Sequence, residues 1–117
     1  MTENHFTYDY TSFLDLEKYQ KLAKETAIYD PAHRETYPLL GLMGEVGEYC
    51  NKYKKVLRDG SSFSHKDKMA ELGDILWYLA LVAEDADLSL GAIAAYNINK
   101  LQDRAARNVL GGSGDNR

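Results

Sequence analysis

Cysteine is almost missing from this chain of 117 residues: Cys50 stands alone, so no disulfide can close within it, and zinc motifs that need several thiolates are excluded. A reducing compartment is expected. Proline is as scarce, with only Pro31 and Pro38, which leaves long stretches without a helix breaker. No long hydrophobic run exists either. The longest, Ile75 to Ala83, falls far short of the roughly 20 residues that span a bilayer, and Met1 to His5 lacks the basic and apolar regions of a signal peptide. A cytoplasmic protein with no membrane partner is expected. Positive charge is also in deficit: 14 basic residues against 18 acidic ones give a net charge of −4, no footprint for a nucleic-acid polymer or an anionic lipid surface. With 44% hydrophobic and 27% charged residues, the composition excludes a disordered or collagenous chain and fits one folded domain over 1–117.

What the chain has in quantity is helical spacing. Apolar residues recur at intervals of three and four, without sustained alternation, which predicts an all-α fold of four to five helices. The first helix is expected from about Ser12 to Tyr29, capped by Thr11 or Ser12 and stopped by Asp30-Pro31. The second opens at Tyr37-Pro38 and runs to Leu57 or Arg58 before Asp59-Gly60. Ser64, with Asp67 three residues on, resembles a capping box for a third helix to Asp85, and Ser89 caps a fourth reaching Arg107. Gly111 to Arg117 forms a polar, glycine-rich tail, read as a flexible end or as a cradle of backbone N–H groups for phosphate.

Carboxylates supply the chemistry. On the second helix Leu39, Leu42, Met43, Val46, Tyr49, Cys50, Tyr53 and Leu57 form an apolar stripe expected to face the core, while Glu45 and Glu48 project from another side with Lys52 a turn later. A lone Glu-x-x-Glu pair is ordinarily a solvated face. The third helix, however, is apolar nearly all round its second half, and its Glu71 and Asp74 share a strip with Tyr78. Burying carboxylates unpaired costs several kcal/mol each, so four converging acids favour a hard cation, Mg²⁺ or Mn²⁺, over zinc. Gly41, Gly44, Gly47 and Gly73 each cost a helix about 1 kcal/mol and lie beside these acids, as if leaving room for a neighbouring helix or a flat ligand. On the fourth helix Lys100, Arg104 and Arg107 make a cation row with Asn97 and Asn99 nearby; such a row complements the helix dipole, and beside a metal it can also grip phosphate.

Taken together, Gly44-Glu45-Val46-Gly47-Glu48, Glu71-Leu72-Gly73-Asp74-Ile75-Leu76-Trp77-Tyr78 and Asn97-Ile98-Asn99-Lys100-Leu101-Gln102-Asp103-Arg104 resemble the all-α nucleoside triphosphate pyrophosphohydrolases of the MazG type, with a tail like that of short bacterial and phage members. The resemblance implies hydrolysis of a (deoxy)nucleoside triphosphate between the α- and β-phosphates, with Glu45, Glu48, Glu71 and Asp74 as catalytic residues holding Mg²⁺. It matches Lys100 and Arg104 to the family's basic residues and Asn97 or Asn99 to its asparagine. Unlike many relatives, no second acid flanks Glu45, which leaves open whether Glu48 or another glutamate orients the water. Gln20, His33 and Tyr37 are candidates for holding the base, and Lys52 joins Gln20 among the substrate-binding candidates. A phosphoribosyl-ATP pyrophosphohydrolase and a silent helical binding module are the competing readings. The apolar third helix, with Trp77 on it, predicts a homodimer or homotetramer, as the family also implies.

Overall fold

The computed structural model describes residues 13–117 and is helical throughout, with no strand among them. α1 spans Leu16–Glu25, α2 Tyr37–Asp59, α3 His65–Asp85 and α4 Leu90–Ala106. The all-α expectation holds, and three of the four boundaries fall within a residue or two of those read from the sequence. α1 is the exception, at ten residues. Asp15 caps it by accepting from the Lys18 N–H at 2.8 Å, and Thr26 closes it, so it is shorter at both ends than its apolar spacing implied. Thr11 and Ser12 lie outside the described residues. Asp30 then accepts from the Ala32 N–H at 2.9 Å, and Pro31 sets the first position of a 3₁₀ turn, Pro31–His33, which propensity alone did not indicate.

The remaining punctuation follows local rules. Gly60, at φ 67°, ends α2 in the left-handed region that a side chain resists. Ser64 Oγ accepts from the Asp67 N–H at 3.1 Å while Asp67 returns the contact to the Ser64 N–H, completing the capping box of α3. Ser89 caps α4 through the Ala92 N–H.

α3 is the central helix: α2 packs along it on one side and α1 on another, while α4 packs on α1. Ala23, Ala80, Ala83 and Leu90 form the small buried core, flanked by Tyr19 and Trp77. Gln20 locks this junction. Its amide nitrogen donates to the Leu88 carbonyl at 2.9 Å and to Glu84 Oε2 at 3.1 Å, and its oxygen accepts from the Leu90 N–H at 2.8 Å.

One expectation about apolar faces is corrected. Leu39, Met43, Val46, Cys50, Tyr53 and Leu57 of α2 are exposed, because α2 turns the side carrying Gly41, Glu45 and Lys52 toward α3. The Trp77 indole N–H donates to Thr26 Oγ1 at 2.8 Å, and its half-buried ring lies against the core of the same chain. No helix among the described residues is long and apolar enough to cross a membrane.

Candidate metal centre

Antiparallel packing matches four-residue steps along α2 with four-residue steps back along α3. At Gly41 the Tyr78 ring lies so close that a Cβ would fall 2.1 Å from its Cε1. One turn on, Glu45 meets Asp74 and Glu71, and one carboxylate oxygen from each lies within 4.8 Å of the others. Farther along, Lys52 Nζ donates to Glu71 Oε1 at 2.5 Å. Of the four glycines read as room for a neighbour, only Gly41 meets one among the described residues; Gly44, Gly47 and Gly73 have none within 4 Å there.

The three acids differ in surroundings. Glu71 is buried, Glu45 half-buried and Asp74 exposed, so the cluster opens to solvent on the Asp74 side. Glu71 Oε2 is buried without a hydrogen-bond partner, an arrangement that costs about 1–3 kcal/mol or more for a charged group unless something occupies the site. Burial, followed by the charges of Asp74, Glu71 and Glu48, holds the Glu45 carboxyl above its usual range, with Lys52 opposing. The Lys52 ammonium is raised, chiefly by its bond to Glu71. Two phenols border the acids: burial and then Asp74 raise Tyr19, while burial, Tyr37, Glu45 and Asp74 raise Tyr78. Tyr78 was visible from the sequence as one turn beyond Asp74. Nothing in the sequence placed Tyr19 there, because only the α1–α3 crossing does.

The other candidate residues are distributed unevenly. Glu48, three residues on from Glu45, is exposed and outside the three-acid group. Gln20 borders a surface cavity of about 460 Å³ with its amide already committed to the fold. His33 is exposed, and Tyr37 stacks on Tyr29 with ring centroids 4.8 Å apart. Asn97 and Asn99 are exposed on α4. Lys100 and Arg104 both reach Asp115 of the tail, at 3.2 and 3.3 Å, and buried Arg104 also donates to the Asp115 carbonyl at 2.8 Å. The tail therefore lies folded on α4. Arg117 secures it by donating to the Val109, Leu110 and Gly114 carbonyls, and glycine at 112 and 114 permits the positive φ values of 91° and 86°.

An all-oxygen donor set, three acids against one lysine and a buried oxygen without a partner fit a hard divalent cation. Fold and site thus define an all-helical protein with a carboxylate centre on two antiparallel helices. The chain belongs to the MazG nucleotide pyrophosphohydrolase family, whose domain model matches residues 34–108. That match covers α2, α3 and α4 and hence every acid of the cluster. The chain is also similar to the Gene 37 protein of Mycobacterium phage L5, 42% identical over 114 residues that cover 89% of this chain and all of that protein. No solved structure matches it. Membership supports a nucleotide pyrophosphohydrolase activity and, as is typical of the family, dependence on a divalent metal.

Proposed function

We propose that the protein hydrolyses a (deoxy)nucleoside triphosphate between its α- and β-phosphates, releasing a nucleoside monophosphate and pyrophosphate, with Glu45, Glu71 and Asp74 holding Mg²⁺ or Mn²⁺. The observation that carries this reading is the three-carboxylate cluster, whose buried member Glu71 keeps one oxygen, Oε2, without a hydrogen-bond partner. When bound, the cation supplies neutralisation of phosphate charge and activation of water for in-line attack. Glu71, fixed by burial, gives the site its rigid side, and Asp74 lies on the side a nucleotide approaches. Glu48, one turn from Glu45, is the outer carboxylate and the group available to take a proton from the attacking water.

On α4, exposed Asn97 and Asn99 together with Lys100 form the phosphate-binding set, while Arg104 serves that set by anchoring the tail. A homodimer or homotetramer covers the apolar side of α2 and brings helices of two chains around each site. Cytoplasmic house-cleaning of nucleotides or adjustment of a dNTP pool is the matching role. The test is a panel of the eight common NTPs and dNTPs, with phosphoribosyl-ATP alongside, assayed with Mg²⁺ and scored for pyrophosphate against orthophosphate. Pyrophosphate release from at least one nucleotide, abolished by chelation, is expected; orthophosphate release alone, or no turnover, refutes the proposal.

A further inference from the structure

The two oxygens of Glu71 have different partners. Oε1 accepts from the Lys52 ammonium at 2.5 Å, whereas Oε2 is buried and unpartnered, and the same carboxylate belongs to the group with Glu45 and Asp74. The Glu71 side chain is 10% exposed and that of Lys52 39%. Lysine is thus the movable member of the pair, a point charge on a flexible stem whose far side is open to water. The charges of Glu48 and Asp67 also act on it.

Three carboxylates and one ammonium leave the cluster short of positive charge. A divalent cation among the acids removes that shortage, and the lysine bonded to the same carboxylate then meets a like charge at close range, where repulsion is strongest. Resting on the metal reading above, we propose that Lys52 is the exchangeable counter-ion of this centre. It neutralises Glu71 in the metal-free protein, is released when a divalent cation binds, and then binds the anionic oxygens of the pyrophosphate part of the substrate. Metal loading and phosphate capture are thereby coupled through one side chain.

The test is a Mn²⁺ titration, followed by paramagnetic resonance of the free ion, on wild type and Lys52→Met. If the ammonium competes with the metal, the variant binds Mn²⁺ about tenfold more tightly, as expected for loss of one charge-assisted hydrogen bond. Once loaded, it binds inorganic pyrophosphate about fivefold more weakly, the scale of a half-exposed ion pair. A lysine that merely orients Glu71 gives the opposite metal result, so unchanged or weaker Mn²⁺ binding beside normal wild-type binding overturns the exchange and leaves the metal reading standing. No Mn²⁺ binding by wild type overturns both. Should the variant not fold, the Lys52 ammonium resonance of ¹⁵N-labelled wild type decides: it must shift with Mg²⁺ and again with pyrophosphate, and a signal indifferent to Mg²⁺ overturns the proposal.

Discussion

Replacing Asp74 with asparagine should stabilise the metal-free protein and weaken it relative to wild type once Mg²⁺ is present. Asp74 faces two other carboxylates with oxygens within 4.8 Å. Two unit charges at that separation repel by about 0.9 kcal/mol in a water-like dielectric, the appropriate limit for an exposed side chain. Two such pairs amount to about 1.7 kcal/mol, and salt screening brings the expected gain nearer 1 kcal/mol. For a chain of this length that raises the midpoint of metal-free thermal unfolding by about 4–5 °C. Mg²⁺ at ten times its dissociation constant stabilises wild type by about 1.4 kcal/mol, and the variant, lacking one of three donors, gains less. The midpoints of the two proteins should therefore cross as Mg²⁺ is added, with pyrophosphate release lost in the variant. A metal-free variant that melts below wild type, or one stabilised by Mg²⁺ to the same extent, refutes both the repulsion and the role of Asp74.

Three further outcomes follow from the same geometry. Because the Glu45 carboxyl is held above its usual range, its contribution to metal-free stability is fully present below its unfolded pKa and is lost as pH rises through the folded value; the stability of wild type minus that of Glu45→Gln should fall across that window in chemical denaturation, and a flat difference contradicts it. Gly41→Ala places a methyl group inside the Tyr78 ring and should destabilise by about 1–3 kcal/mol less the ~1 kcal/mol of helix propensity gained, whereas Gly44→Ala, with no neighbour within 4 Å among the described residues, should stabilise by up to ~1 kcal/mol; equal urea midpoints for the two would refute the close approach. Met43→Glu, on the exposed side of α2, should shift sedimentation from oligomer to protomer, and an unaltered oligomer would place the contact elsewhere.

Capping chemistry was readable because it is local: Ser64 with Asp67, Ser89, and Gly60 each act within a few residues of themselves. Of the four acids expected to converge, Glu45, Glu71 and Asp74 come together, because antiparallel packing brings two helix sides face to face, while exposed Glu48 falls outside the group. The facing of α2 was not readable. A stripe of Leu39, Met43, Val46, Tyr53 and Leu57 has the same periodicity whether it meets its own chain or another, and in this chain the glycine at 41 decided which side met α3. Gln20 and Arg104 show the other limit: each is a polar residue on a helix, and only partners 60 to 70 residues away in one case, and a folded tail in the other, reveal them as fastenings of the fold.

The contact between Gly41 and Tyr78 has a bearing on which ion the centre accepts. It fixes the gap between α2 and α3 one turn from Glu45, so the width of the oxygen nest is gauged at a position that donates nothing to it. Magnesium demands oxygens at about 2.0–2.1 Å, and calcium accepts about 2.3–2.6 Å. A single methyl at position 41, by spreading the helices, would therefore tilt the centre toward the larger ion without altering one ligand.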